Sequence, residues 1–330
     1  MSESPARTLG PPTARVIRLA DVEAASALFA NWQGRFEQIS RGGFAGTLQV
    51  VRGGLVRIIG IKANQRVRLR GHDVARLFSV FLVTDGNGGS LWQCRRLTPG
   101  QLVVDGTDAE TDHYTARRTD NLGVSLLPED FEKAAMALLG TDVVALPRTW
   151  AALSPPPEAF ASLNCQLSSL LRWGLADKSL LGTPEGDRLE QECVRALVAS
   201  LFSAAAPQPE LSFPARSLLL RRAEEFMRSR LGDRFGAIDL CRELGVSDRT
   251  LRLAFRERYG LGPMAYYKAL RLNAVRSRLK AGAVAAAAHD FGFHHLGNFA
   301  ADYRRLFGEN PSTSRGWIAD SPTTSAGGHL

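Results

Sequence analysis

Residues 289–312 read HDFGFHHLGNFAADYRRLFGENPS, so His289, His294, His295, Asn298, Arg304 and Arg305 stand close together between glycines. A zinc site, a catalytic pair and a DNA-reading helix would each use some of these residue types. The zinc reading fails on geometry: ring nitrogens of adjacent histidines diverge, and no cysteine or carboxylate set lies at ligand spacing nearby. The sequence shows no G-x-S-x-G elbow and no phosphate loop, so a catalytic pair lacks a recognisable setting. A DNA-reading helix uses the set more fully. Asparagine bonds adenine bidentately, arginine bonds guanine or phosphate, and histidine donates to a base or a phosphate.

The elements that must position these residues appear as an internal repeat. Under a shift of 48 residues, Leu251, Phe255, Arg256, Gly260 and Pro263 fall on Phe299, Tyr303, Arg304, Gly308 and Pro311. Upstream of each copy lies a short helical stretch, IDLCREL or VAAAAHDF, followed by Gly245 or Gly292. Glycine can adopt the left-handed conformation that a tight helix–helix corner requires. Ser247 or its surroundings then cap the next helix. Helix, glycine turn and helix form a helix-turn-helix, here present twice. Between the copies, MAYYKALRLNAVRSRLKAG is long enough for a connecting helix of roughly 25 Å.

Within each second helix the apolar positions assign the faces. Leu251, Ala254 and Phe255 point inwards, which leaves Asp248, Arg249, Arg252 and Arg256 outside. In the second copy Phe299 and Tyr303 point inwards, while His294, His295, Leu296, Gly297 and Asn298 crowd the N-terminal end, the part that enters the major groove. Arg256, Arg304 and Arg305 suit phosphates, and Gly297 would let a backbone approach closely.

Charge agrees with this division. Residues 216–318 carry 19 Lys and Arg against 10 Asp and Glu, a net +9, whereas residues 1–215 carry 22 of each and are neutral. A basic segment beside a neutral one suits a polyanion-binding module joined to a domain with another task.

With 45% hydrophobic and 22% charged residues the chain reads as globular. The N-terminus has no apolar signal region and no run reaches the ~18 apolar residues of a spanning helix, so a cytoplasmic protein without a membrane partner is expected. Cys94, Cys165, Cys193 and Cys241 form no C-x-x-C pair and read as small reduced hydrophobes; no metal and no cofactor is expected. The fold class expected is α+β: a small β-barrel sensor, jelly-roll or cupin-like, with helices, then an all-α tandem helix-turn-helix. Residues 1–206 form the sensing and dimerisation part. Strand-like runs such as GLVRIIGI and LFSVFLVT place its barrel at about 40–128, and helical periodicity its helices at about 129–206. Residues 207–215 are a proline-bearing linker, 216–318 the DNA-binding part and 319–330 a disordered tail. The apolar stripes Leu163, Leu167, Leu170, Leu171, Trp173 and Leu189, Cys193, Leu197, Leu201 need a partner, either the barrel or a second copy of the chain.

On LCRELGVSDRTLRLAFRERYGLGPMAYYKALRLNAVRSRL and FGFHHLGNFAADYRRLFGENPS, residues 216–317 resemble the DNA-binding domain of AraC/XylS transcription regulators. Gly292-Phe293, Phe299 four residues before Tyr303, and the closing Gly308-x-x-Pro311 match that family's signature. The upstream part resembles, more weakly, the sensor domain of XylS-like members. The resemblance implies a seven-helix DNA-binding unit and places base-reading positions at Arg249, Arg252 and Leu253 and at Leu296, Gly297, Asn298 and Ala301. Leu253 and Ala301 stand where relatives often have a polar or basic reader, which implies that the second unit positions more than it reads. It implies a sequence-specific regulator, expected to be an effector-responsive activator and not an enzyme. Its expected partners are double-stranded promoter DNA, RNA polymerase, a small-molecule effector and a second copy in a homodimer. The alternatives are a barrel-domain enzyme with a DNA-binding appendage and a ligand-independent DNA binder; His72 and His113, 41 residues apart, give the former no clustered metal ligands. For the effector, Phe78, Val80, Leu82, Trp92 and Val104 are candidate apolar lining, with Arg41, Arg95 or Arg96 for an anionic group. A one-residue error in strand phase would invert that apolar set.

Overall fold

The computed structural model describes residues 9–22, 32–73, 77–87, 89–93, 95–105, 111–140, 151–204, 215–279 and 283–314. The Gly88 and Cys94 positions, the 207–215 linker up to residue 214 and the 319–330 tail lie outside them. The chain forms two compact units. Among the described residues the first holds those before Glu37 and those from Ala45 to residue 204; the second holds Glu37–Phe44 and those from residue 215 on. The segment Glu37–Phe44, expected within the sensing part, is therefore a component of the helical unit.

The first unit is built on two antiparallel sheets not closed into one barrel. One runs β1(Thr13–Leu19), β3(Gly46–Arg52), β4(Arg57–Ala63), β11(Thr119–Leu126), β6(Phe78–Leu82), β9(Leu102–Asp105) and β12(Ala151–Leu153). The other runs β2(Trp32–Gln38), β5(Val67–Asp73), β10(Thr111–Tyr114), β7(Leu91–Trp92) and β8(Arg95–Arg96). Successive side chains of a strand leave on opposite faces, and the seven-stranded sheet uses both. Ile58, Phe78, Val80, Leu102, Val104 and Val124 enter a core shared with helices. Their neighbours Ile59, Ser79, Phe81, Val103 and Ser125 turn to a cavity. Gly123, paired with Phe81, is required there, because a Cβ would meet the Phe81 ring at 2.6 Å.

The long helices among the described residues of this unit are α1(Pro128–Leu139), α2(Pro157–Ala176) and α3(Pro184–Ser203). Prolines open all three, at positions whose N–H would lack a helical partner. The stripe Leu163, Leu167, Leu170 and Leu171 of α2 packs on the sheet together with Cys193 and Leu197 of α3, and Trp173, Leu189 and Leu201 border the same core. The partner these stripes need is thus the sheet of the same chain. Glu190 of α3 accepts the N–H groups of Gly54, Leu55 and Val56 at 3.2, 2.6 and 3.0 Å, pinning the β3–β4 turn. Burial pushes its carboxyl up against the pull of those bonds.

The second unit contains α4(Ala215–Ser229), α5(Ala237–Leu244), α6(Asp248–Tyr259), α7(Pro263–Arg278), α8(Val284–Asp290) and α9(Leu296–Phe307), and residues 311–314 are helical again. The connecting helix α7 has 16 residues, about 24 Å at 1.5 Å per residue. It buries side chains around much of its circumference, among them Tyr266, Tyr267, Leu270, Leu272, Asn273 and Val275. A helix apolar on most sides is one that others surround. Glu37–Phe44 docks against this unit. Arg228 donates to both Glu37 carboxylate oxygens at 2.9 and 2.6 Å. The Gln38 N–H donates to Asn273 Oδ1 and Asn273 Nδ2 returns a bond to Gln38 O, each 2.9 Å.

Candidate nucleic-acid interface

Both helix corners form as the glycines require. Gly245 closes α5 at φ 67°, and Gly292 follows α8 at φ 74°. A Cβ on Gly292 would stand 2.8 Å from the Gly232 carbonyl oxygen, so space as well as backbone angle demands glycine there. The apolar faces of α6 and α9 close inwards through Leu251, Ala254, Phe255 and Tyr259 and through Phe299, Tyr303, Leu306 and Phe307, all buried.

The opposite faces are open. Asp248, Arg249, Arg252, Leu253 and Arg256 on α6 are exposed; so are His294 and His295 before α9, and Leu296, Gly297, Asn298, Ala301, Arg304 and Arg305 on it. Positions 249, 252, 253 and 256 follow the three- and four-residue spacing that keeps side chains on one side of a helix. Positions 297, 298, 301, 304 and 305 repeat it. Leu253 and Leu296 are 46% and 48% exposed, so neither serves the core. Nothing lies within 4 Å of a Cβ built on Gly297, so no packing demands a glycine there.

The two faces differ in chemistry. At the start of α6, Ser247 Oγ accepts the Thr250 N–H at 3.2 Å, and Asp248 pairs with Arg252 at 2.7 Å. The hydrogen bond to Asp248, reinforced by its charge, raises the Arg252 pKa. At the start of α9, the N-cap His295 makes no side-chain cap bond. His294 titrates below its ordinary value, through desolvation and the nearby basic groups of Arg234, His289, Arg271 and His295. Its ring meets that of His289 edge-on at 4.7 Å. Arg305 shares Asp302 with Lys268, at 3.1 and 2.8 Å.

Other side chains position this surface and have no signature in the sequence. Arg271 of α7 donates to the Phe291 carbonyl at 2.6 Å and lies 4.2 Å over the Phe293 ring, which fixes the turn before α9. Arg276, buried to 3% exposure, bonds Glu309 at 2.8 Å and reaches Tyr303 and Ser314 at 3.3 Å. A run such as LRLNAVRSR does not say which of its arginines turns inward.

The residues expected to line an effector pocket do not come together. Phe78, Val80 and Val104 belong to the core under the helices, because β6 and β9 run in the opposite phase to that expected. Their neighbours Ser79, Phe81, Val103 and Asp105 face the cavity, with Trp92 and the strand-end Leu82. Arg95 and Arg96 are exposed on β8, and Arg41 lies in the second unit beside Ile39 and Met264. Among the described residues no helix is long and apolar enough to cross a membrane.

Comparison with known proteins bears on the helical unit. The model of a helix-turn-helix domain family matches residues 240–316. Over 104 residues the chain is 30% identical to the Probable thc operon regulatory protein of Rhodococcus erythropolis, covering 30% of this chain and 31% of that one. It is 38% identical over 72 residues to the XylDLEGF operon transcriptional activator 1 of Pseudomonas putida, covering 20% and 22%. The chain thus matches only about a third and a fifth of the length of these curated relatives. Among solved structures, a probable AraC family transcriptional regulator from Rhodopseudomonas palustris is 34% identical, covering 31% of this chain and 98% of that one, with a TM-score of 0.29. By its repeated helix-turn-helix and by these identities, the helical region around residues 240–316 is a helix-turn-helix domain similar to that of AraC/XylS operon regulators.

Proposed function

We propose that the protein is a cytoplasmic regulator that binds promoter DNA through α6 and α9, answers a small effector held in its first unit, and activates transcription by engaging RNA polymerase. The observation that carries the DNA-binding part is the pair of open helix faces. The thirteen residues named as DNA-facing on and before these helices are all exposed, while Leu251, Ala254, Phe255, Phe299 and Tyr303 behind them are buried. Arg249 and Arg252 read bases, Leu253 and Leu296 offer apolar contact to thymine methyl groups, and Asn298 addresses adenine. Arg256, Arg304 and Arg305 hold phosphates, and Gly297 admits the sugar-phosphate backbone.

A homodimer was expected from the stripes on α2 and α3; those stripes pack inside the chain and lend it no support. Selection of genomic fragments by the full-length protein tests the reading. A shared motif in the recovered fragments, lying upstream of a small set of operons, is the expected outcome. Recovery without a common motif would leave a non-specific polyanion binder.

A further inference from the structure

Between the two sheets of the first unit lies a cavity of about 100 Å³. Its walls are mostly apolar, from Phe36, Ile59, Ile61, Leu69, Phe81 and Val103. Most polar groups that reach it are spoken for within the protein. Ser79 and Ser125 bond each other at 2.9 Å, Ser90 accepts the Ala116 N–H at 2.9 Å, and Thr111 donates to Asp105 Oδ2 at 2.8 Å.

Two groups differ from these. Trp92 and His113 are cross-strand partners on β7 and β10, their rings 4.8 Å apart, and they are only 3% and 6% exposed. Trp92 Nε1 and His113 Nε2 are both buried without a hydrogen-bond partner. Buried polar atoms are seldom left this way. Burial lowers the His113 pKa to about 4, with Asp112 pulling the other way, so the ring is neutral near pH 7.

We propose that this cavity binds a neutral molecule no larger than a single ring, carrying a hydroxyl group that sits between Trp92 and His113. A hydroxyl both donates and accepts, so it takes the indole N–H and serves His113 Nε2 in either tautomer. Net charge is disfavoured because the wall is mostly apolar and solvates an ion poorly, and the lining Arg57 and Asp105 offer no excess of either sign to offset that. Size follows from volume: a dry apolar cavity of about 150 Å³ takes benzene, so ~100 Å³ leaves room for one ring only after slight expansion. A water between the same two atoms would make the minimum of two bonds and leave the apolar remainder of the cavity unfilled, which a hydroxyl-bearing ring would occupy. As the effector site this rests on the regulatory reading above; as a binding site it stands on the cavity alone.

Titration calorimetry on the full-length protein at pH 7.5, without DNA, tests it with phenol, toluene and benzoate as probes. Phenol should bind at least tenfold more tightly than either of the others. Trp92→Phe and His113→Phe should each remove most of that preference and leave toluene within about twofold. Equal binding of toluene would mean a purely apolar cavity; equal or tighter binding of benzoate would mean an anion site; no binding would mean a closed interior. Each of these overturns the proposal. If a variant fails to fold in a thermal melt, the ranking of the three probes on the unaltered protein decides by itself. DNA binding measured on the same sample keeps this outcome separate from the regulatory reading.

Discussion

The two helix-turn-helix copies share a backbone plan and differ in how their second helices are prepared. Helix α6 starts on a serine cap, holds Asp248 against Arg252, and presents three arginines along its open side. Helix α9 starts without a side-chain cap, opens on histidines, a leucine and a glycine, and ties Arg305 into a cluster with Asp302 and Lys268. Its support lies behind it, in Arg271 at the preceding turn and Arg276 beneath Tyr303 and Glu309. On the proposed reading, the capped, arginine-bearing α6 would carry most of the base discrimination, and α9, uncapped and with a small residue at its tip, would add fewer base contacts while lying close to a backbone.

The largest expected effect falls on the support of α9. Arg276→Ala leaves Glu309 without its buried cation and should cost about 3–5 kcal/mol in denaturant unfolding, as for other buried ion pairs that lose one partner. A loss below 1 kcal/mol would mean that α9 does not depend on this network. Next comes the contrast in caps. Ser247→Ala should destabilise by about 1 kcal/mol, the usual worth of a serine cap, whereas His295→Ala should stay within ~0.5 kcal/mol, as surface changes do. Equal costs would remove the distinction between the two helix starts.

The smallest effect concerns protons. The pKa of His294 is depressed in the free protein, with Arg234, His289, Arg271 and His295 around it. Nearby phosphates would raise it through charge-assisted bonds. A group whose pKa rises on binding adds affinity that is complete below its free-state pKa and is lost as pH climbs through the bound-state value. DNA binding should therefore tighten as pH falls from 7.5 through 6. Replacing His294 and His295 by Gln should flatten that profile and keep most affinity at pH 7.5. A flat profile in the unaltered protein would assign these histidines another role.

Much of the helical unit was legible from sequence because its signals are local: glycine at each corner, apolar positions three and four apart, and a repeat that doubles every clue. The sheet unit was harder. Runs such as FSVFL and LVVD carry hydrophobic residues on both faces, so alternation leaves open whether Phe78 or Phe81 faces the cavity; of the apolar candidates, Leu82 and Trp92 border it and Phe78, Val80 and Val104 lie in the core. Long-range polar contacts were invisible. Nothing in the neighbourhood of Gln38 announces a partner at Asn273, 235 residues away, nor does Glu190 advertise the turn at Gly54 to Val56.

The division of labour between the helices is tested most directly by one pair of titrations: Arg249→Ala and Arg304→Ala, each on cognate and random duplexes over a range of salt. Arg249→Ala should lose roughly 1–3 kcal/mol on the cognate site and much less on random DNA. Arg304→Ala should weaken both alike and reduce the salt slope by about one. Equal losses on cognate and random DNA for Arg249→Ala would contradict the assignment of base reading to α6.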